Sequence, residues 1–321
     1  MQKIDIVSLD QFSQDVLDGL SSNPKKLSSK YFYDERGDEL FQQIMNLDEY
    51  YLSRAELEIF NTKKNDILEI IDTSDHFRLL ELGAGDGAKT KVLLRHFRDS
   101  GIDFTYAPVD ISENVLQVLS SSLEKEVPGL NIEPLAGDYF KVLNELKFKN
   151  DHRSLVFFLG SNIGNFLNET AISFLSGIRD NLKKGDLLMI GFDLKKDPQI
   201  ILNAYNDKQG VTEAFNKNLL RRINEELEGN FELNQFDHHP IYDPLTGQCR
   251  SYLISKKALS VRIEKLDRTF HFEAWEPIFM EVSKKYSLDE INYLATNTGF
   301  KLVANFFDGQ NLFCDSVWQV E

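Results

Sequence analysis

A glycine-rich turn between a short apolar strand and a helix constrains the fold of this chain more than any other feature. Residues 77–82 read Phe-Arg-Leu-Leu-Glu-Leu, and Gly83, Gly85 and Gly87 follow at alternate positions, before a helical pattern over residues 89–97. Glycine adopts backbone conformations that other residues avoid, and it lets a ligand approach the main chain closely. The segment predicts a strand–turn–helix unit whose turn binds a ligand through Gly83 and Gly85.

The pattern after this turn predicts a doubly wound parallel sheet of the α/β class. Apolar runs alternate with helical periodicity from residue 77 to residue 192, and the same alternation returns after residue 286. Parallel strands need a crossover, usually a helix, so this alternation is typical of the class. The predicted strands lie at 77–82, 104–110, 132–135, 154–159, 186–192, 301–304 and 313–320.

The remaining segments predict a second, discontinuous domain of α+β type. Residues 1–60 are helical and polar without a clear strand signal, whereas the stretch after residue 198 mixes helix with alternating strand patterns. The expected division is a core of residues 61–197 plus 286–321 and a substrate-binding domain of residues 1–60 plus 198–285.

The composition indicates which partners the chain does not bind. It has 36 Lys and Arg against 51 Asp and Glu, a formal net charge of -15. Such a surface repels phosphate backbones and anionic lipids. No signal segment is visible and no apolar run reaches the length of a membrane span. We expect a cytoplasmic protein that acts on a small molecule, with its oligomeric state open and a monomer as one outcome.

Cysteine and histidine give no sign of a metal site. Cys249 and Cys314 are far apart and lack metal-ligand spacing, so two reduced thiols are expected. His238 and His239 precede Pro240 and are expected in a surface loop. We therefore expect no metal cofactor.

Carboxylates at successive strand ends indicate an adenosine-containing ligand. Asp110 closes the second strand, where it can accept hydrogen bonds from both ribose hydroxyls. Asp138 follows the third strand and can accept from the adenine amino group, while Tyr139 can pack on the ring. Glu81, two positions before the first glycine, suits a cationic amino-acid group better than a pyrophosphate.

Two other functions compete with this interpretation. A nicotinamide-dependent oxidoreductase would use a Gly-x-Gly-x-x-Gly turn, whereas Gly83, Gly85 and Gly87 follow Gly-x-Gly-x-Gly. A non-catalytic amino-acid or nucleoside-binding module would have an impaired turn, yet the glycines, Asp110 and Asp138 are all present. Both observations favour an enzyme.

The loop after the fourth strand predicts the position of the group transfer. Residues 160–166 read Gly-Ser-Asn-Ile-Gly-Asn-Phe, and small residues and amides leave room for a second substrate. A helix-capping loop is the alternative, because Asn and Ser are common caps.

Several longer motifs resemble the histidine-specific N-alpha-methyltransferase family, which makes trimethylhistidine on the route to ergothioneine. The similarity runs from about residue 25 to the end of the chain, with its motifs in the family's order. The motifs are residues 31–41, 49–56, 158–166, 191–198, 204–207, 210–216 and 281–286.

The resemblance implies a class I, Rossmann-like methyltransferase core dependent on S-adenosyl-L-methionine (SAM), plus a substrate domain. It implies N-methylation of the α-amino group of an amino acid, L-histidine first, with Asn165 and Tyr50 at the reacting amine. The implied cofactor contacts are Gly83, Lys89, Asp110, Asp138 and Tyr139. The implied substrate contacts are Tyr50, Asn165 and Tyr205 for the amino-acid backbone, and Glu281 and Ser283 for the imidazole, with Tyr33 nearby.

Two positions depart from the family pattern. Ser251 stands where these enzymes carry a methionine, which removes apolar packing beside the imidazole. Trp275 precedes Glu276 where a small Gly-Glu pair is usual. A relative that methylates another amino acid or a small amine is therefore the alternative.

Overall fold

The computed structural model describes residues 9–71, 73–110, 113–149 and 152–321. The helices, in chain order, are α1 Leu9–Ser21, α2 Glu35–Met45, α3 Leu52–Ile70, α4 Thr90–Asp99, α5 Glu113–Glu126, α6 Tyr139–Lys149, α7 Asn168–Asp180, α8 Pro198–Tyr205, α9 Val211–Leu227 and α10 Leu288–Asn297. Short 3-10 turns lie at Ser29–Tyr31, Asn162–Asn165, Leu233–Gln235 and Glu264–Leu266.

The strands, in chain order, are β1 Lys25–Lys26, β2 Phe77–Leu82, β3 Phe104–Asp110, β4 Asn131–Ile132, β5 Leu135–Ala136, β6 Arg153–Phe158, β7 Leu187–Asp193, β8 Phe236–Asp243, β9 Gln248–Ser255, β10 Leu259–Ile263, β11 Arg268–Phe272, β12 Pro277–Lys284, β13 Phe300–Phe307 and β14 Phe313–Val320.

Two compact units divide the chain. The small-sheet unit comprises the residues up to Tyr51 together with Lys196–Ser283, and the large-sheet unit comprises Leu52–Lys195 together with Lys284–Glu321. The expected boundary after residue 60 falls inside α3, which is one continuous helix that packs on α4, β13 and β14. The sequence pattern does not reveal the boundary at Leu52, because helical sequence lies on both sides of it.

The large-sheet unit is built on one mixed sheet with the strand order β13-β14-β7-β6-β2-β3-β4. Strands β4, β3, β2, β6 and β7 run parallel to one another, and β14 runs antiparallel between β7 and β13. Every residue of β7 is buried, as expected for a strand covered on both faces. The doubly wound α/β class predicted from the sequence is confirmed.

One predicted strand of this sheet is wrong in detail. Residues 132–135 are not a continuous strand, because β4 and β5 each pair separately with β3. Pro134 lies between them, and proline has no N–H to donate to a strand ladder.

The small-sheet unit contains a four-stranded sheet of order β1-β12-β9-β8 and the hairpin β10–β11. Helices α1 and α9 contribute Phe12, Phe215 and Leu219 to its hydrophobic core, where Leu253 and Met280 of the sheet also lie. Two expectations are corrected here. Residues 25 and 26 form a strand parallel to β12, and His238 and His239 lie in β8 rather than in a surface loop.

Two further observations concern the whole of the described chain. Its helices include none that is both long enough and apolar enough to cross a membrane. Cys249 and Cys314 are both buried, and no disulfide joins them in the part of the chain that the structure describes.

Candidate active site

The glycine turn after β2 leaves its main chain open. Gly83 and Gly85 have φ of 73° and 54°, in the left-handed region that favours glycine. A Cβ at Gly83 would lie 2.8 Å from the hydroxyl oxygen of Tyr139, whereas a Cβ at Gly85 would meet nothing within 4 Å. The turn therefore has room for a ligand at Gly85 and brings Tyr139 to its side at Gly83.

Two carboxylates lie near this tyrosine. Asp110 is the last residue of β3, and Asp138 accepts hydrogen bonds from the backbone N–H groups of Phe140 and Lys141 at 3.0 and 3.2 Å. Burial, with the charges of Asp110 and Asp138, raises the pKa of Tyr139 to about 12. Asp138 thus caps the start of α6. The carboxylates of Asp110 and Asp138 can accept hydrogen bonds from a nucleoside.

Glu81 has a different environment from the one expected. It is buried, and its two carboxylate oxygens accept hydrogen bonds from Thr90 Oγ1 at 2.6 Å and Tyr106 Oη at 2.5 Å. Burial raises its pKa to about 7. Its bonds run to buried protein donors, so Glu81 supports the turn from within the unit rather than presenting a carboxylate to a cation.

Lys89, immediately before α4, forms an ion pair with Glu56 of α3. Glu56 is buried, and its other oxygen accepts a hydrogen bond from the backbone N–H of Gly160 at 2.7 Å. Glu56 therefore connects the lysine to the loop after β6. The sequence interpretation gave Glu56 no role, although it closes the family motif at residues 49–56.

The loop after β6 presents Asn165 at the end of a 3-10 turn. Asn165 is exposed, and a Cβ at Gly164 would lie 2.7 Å from the Lys284 carbonyl oxygen, so the turn is packed closely against that segment. Ser161, at the cap position, makes no capping hydrogen bond, and its Oγ accepts from the backbone N–H of Asp193 at 3.1 Å. This serine therefore ties the loop to β7 rather than capping a helix.

The small-sheet unit brings three of the predicted substrate residues together. Tyr205 donates a hydrogen bond from its hydroxyl to Ser283 Oγ at 2.7 Å, and its ring lies 6.4 Å from that of Tyr50. This cluster offers hydroxyl groups rather than charges to a polar ligand.

Tyr33 and Glu281 form a second group in this unit. The Tyr33 ring packs edge-on against Phe41 and Phe215, at 5.6 Å from each. Desolvation of its hydroxyl, with the negative charges of Glu281 and Asp38, raises the pKa of Tyr33 above its ordinary value. The Tyr33 hydroxyl therefore keeps its proton, and the Glu281 carboxylate lies close enough to affect its pKa.

The two departures from the family pattern have distinct structural settings. Ser251 is buried in β9, opposite Pro240 in the strand register and two residues before the core residue Leu253. Trp275 is largely exposed and has φ of 70°, which is a strained conformation for a side chain of this size. Glycine is the least strained residue at such a position, which explains the small residue in the family pattern.

Known proteins that are similar to this chain are methyltransferases. Residues 12–320 match the family described as histidine-specific methyltransferase, SAM-dependent. The chain is 37% identical to the histidine N-alpha-methyltransferase of Mycolicibacterium smegmatis over 87% of its own length and 85% of that protein, and 36% identical to that of Mycobacterium tuberculosis over 85% and 84%. A solved SAM-dependent methyltransferase of Methanosarcina mazei covers 79% of the chain, and 96% of its own, at 11% identity and a TM-score of 0.39.

Proposed function

The chain belongs to the family of histidine-specific, SAM-dependent methyltransferases, and we propose that it methylates the α-amino group of L-histidine to give trimethylhistidine. Its large-sheet unit is a class I, Rossmann-like methyltransferase core. The observation that carries the choice of substrate is the extent of the similarity to histidine N-alpha-methyltransferases, which covers 87% of the chain.

The residues around the glycine turn fit SAM. The main chain at Gly85 is open, and Asp110, Asp138 and Tyr139 lie where a nucleoside can be bound. Asp110 would accept hydrogen bonds from the ribose hydroxyls, Asp138 would accept from the adenine amino group, and Lys89 would hold the amino-acid arm. When bound, SAM supplies an electrophilic methyl group.

The residues of the small-sheet unit suit an amino acid with an imidazole side chain. Neutral imidazole has one donor and one acceptor nitrogen, and a carboxylate with a hydroxyl can pair with both. We assign these partners to Glu281 and Ser283, with Tyr33 nearby. Tyr50 and Tyr205 would hold the backbone of the amino acid through their hydroxyls.

The amine must lose its proton before it can attack. Burial disfavours the charged form of an amine, whereas a neighbouring carboxylate would hold the proton. Asn165 is neutral and exposed on its loop, and we propose that its amide oxygen orients the amine. We propose that Tyr50 also contacts the amine. Alignment of the reacting atoms then supplies most of the acceleration.

The net charge of -15 supports a free amino acid as the substrate, because it disfavours nucleic acid and anionic membrane surfaces. We propose that the enzyme acts in the cytoplasm and without a metal.

The deciding experiment is product mass after incubation with isotopically labelled SAM and each amino acid separately. We expect methyl groups on histidine. Glu281→Ala should reduce histidine turnover by about 100-fold, because the imidazole of the bound histidine is left without one hydrogen-bond partner. SAM affinity should be unchanged. Glu264→Ala, at an exposed carboxylate of the same unit, is the control.

A second substrate is favoured by Ser251, since a buried serine occupies less space than the methionine of the family pattern. A larger or aliphatic amine would then be the substrate. If histidine is not methylated while another amine is, the assignment to histidine is wrong and the methyltransferase activity stands.

A further inference from the structure

A second buried carboxyl group accompanies the Glu56–Lys89 ion pair. Asp315 of β14 lies directly opposite Gly191 of β7, and a Cβ at Gly191 would lie 2.5 Å from Glu56 Oε1. Directly opposite residues of neighbouring strands have their side chains on the same face of a sheet. Asp315 therefore emerges on the face that Glu56 covers, and the absence of a side chain at Gly191 makes room for both.

Asp315 is fully buried, and neither of its carboxyl oxygens receives a hydrogen bond from a donor group in the described part of the chain. An ionised carboxylate without partners is costly inside a protein, and the usual outcome is that it keeps a proton. Burial, with the charge of Glu56, raises the pKa of Asp315 well above its ordinary value. A protonated Asp315 can then donate its hydrogen bond to Glu56.

The charged and titratable groups around this pair come from several elements. Lys89 precedes α4 and Glu81 lies on β2. Asp193 of β7, which pairs with Lys285, lies two residues from Gly191 on the same face of the sheet, whereas Cys314 adjoins Asp315 on β14 and faces the other side. With one proton shared, Glu56 and Asp315 carry a single negative charge that the Lys89 ammonium balances. Loss of that proton would leave two negative charges beside one ammonium.

The accessibility of these groups differs in a way that indicates a ligand. The Lys89 side chain is 26% exposed, against 1% for Glu56. An ammonium has three donors, and Glu56 uses one of them. Lys89 Nζ also lies 3.6 Å from where a Cβ of Gly160 would be, in the loop after β6. This is the strand-end edge where ligands of doubly wound sheets bind.

We propose that Glu56 and Asp315 act as a singly charged pair that positions the Lys89 ammonium for the carboxylate of the amino-acid arm of SAM. The proposal rests on the proposed function and adds two positioning residues to it. One negative charge orients the ammonium and leaves its other donors for the ligand. A second charge would draw the ammonium away from the ligand and towards the buried pair.

The affinities of two ligands distinguish this positioning role from a general loss of structure. S-adenosylhomocysteine carries the amino-acid arm, and 5′-methylthioadenosine lacks it. In isothermal titration calorimetry, we expect Glu56→Gln to weaken the affinity for S-adenosylhomocysteine by about tenfold or more, because the charge-assisted hydrogen bond from Lys89 to the ligand carboxylate is affected. The affinity for 5′-methylthioadenosine should fall by less than about threefold. Lys89→Met should give the same pattern. Glu69→Gln, at an exposed position of the same helix, is the matched control.

The pH dependence tests the second carboxyl group. As the pH is raised, the affinity of the unaltered protein for S-adenosylhomocysteine, divided by its affinity for 5′-methylthioadenosine, should fall once the shared proton is lost. Asp315→Asn cannot ionise, so the alkaline decline that remains in this variant should be clearly smaller. The titration of the ligand's own amine is common to both proteins and cancels in the comparison.

Three results would overturn the proposal. Equal losses for the two ligands in Glu56→Gln would show a purely structural role, and unchanged affinities would show none. An identical pH dependence in Asp315→Asn and the unaltered protein would remove Asp315 from it. If the unaltered protein binds neither ligand, the proposed function itself fails. If it binds both ligands and the variants bind them equally well, only the positioning role is wrong.

Discussion

The two units of this protein differ in the polar groups that they bury. The large-sheet unit encloses mostly ionisable side chains, namely Glu56, Glu81, Asp186, Asp193, Lys284, Lys285, Asp308 and Asp315, beside the neutral Thr90, Thr105, Ser161, Thr298 and Ser316. The small-sheet unit encloses mostly neutral ones, namely Thr212, Asn216, Asn218, Ser251, Ser255 and Ser283, with Asp207 as the charged exception. Asp207 accepts hydrogen bonds from the backbone N–H groups of Val211 and Thr212 at the start of α9.

This difference predicts that the two units respond differently to pH. A buried charge needs a partner or a proton, so the stability of the large-sheet unit should depend on ion pairing and on pH. Buried hydroxyls and amides need only correct hydrogen-bond geometry. The small-sheet unit should therefore respond less to pH and to the loss of any one group.

The largest effect is expected at the most deeply buried ion pair. Lys285 Nζ lies 2.7 Å from Asp193 Oδ2, and both side chains are 0% exposed. Lys285→Met should lower the free energy of unfolding by about 3–5 kcal/mol, because it leaves a buried carboxylate without its partner. Urea denaturation measures the loss. Lys195→Met, which removes the partly exposed partner of Glu290, should cost less than about 1 kcal/mol. A similar loss in both variants would contradict the special status of the buried pair.

The second prediction concerns Glu81, whose pKa is raised to about 7 by burial. Between the pKa of an unfolded glutamate and this value, the folded state holds a proton that the unfolded state has lost. Stability should therefore rise as the pH falls from 7 towards 5, by about 2 kcal/mol relative to Glu81→Gln. Thermal denaturation of both proteins across this range measures the difference. Parallel stability curves would show that Glu81 is ionised throughout.

An effect of similar size is expected at the cofactor site of the large-sheet unit. Asp110→Ala should weaken SAM binding by about 1.5–3 kcal/mol, the size of hydrogen bonds to a charged group. Calorimetry with SAM measures it, and Asp99→Ala, at an exposed carboxylate of α4, is the control. Unchanged affinity in Asp110→Ala would remove this residue from the site.

The smallest effect tests the neutral interior of the small-sheet unit. Tyr205→Phe and Ser283→Ala each remove the hydrogen bond of 2.7 Å between their side chains, and each should cost about 1 kcal/mol of stability. The double variant should cost less than the sum, because the two residues share one interaction. Fully additive losses in denaturant titrations would show that the pair is not coupled.

The sequence predicted the parts of the fold that short-range pattern determines. Residues 77–82, 104–110 and 154–159 are short and mostly apolar segments, and the structure has β2, β3 and β6 there. The two-lysine strand β1 carries no such pattern, because it is a strand only through its pairing with β12. The start of α3 at Leu52, which is also the boundary between the two units, likewise has no local signal.

The candidate site shows the same limit. The sequence predicts which residues end each strand, but it does not give the direction of their side chains. Glu81 was therefore expected at the ligand and is instead enclosed by Thr90 and Tyr106. Glu56 and Asp315 belong to elements far apart in the chain, and only the register of β14 against β7 brings them to one face.

The position of β14 also has a consequence for the order of folding. This strand follows every other strand of the large sheet in the chain, yet it lies between β7 and β13. Until residues 313–320 leave the ribosome, β7 has an unpaired edge that carries Leu188 and Ile190. An exposed apolar edge invites pairing with other chains. Once β14 is in place, it covers the edge of β7 and protects it from pairing with other chains.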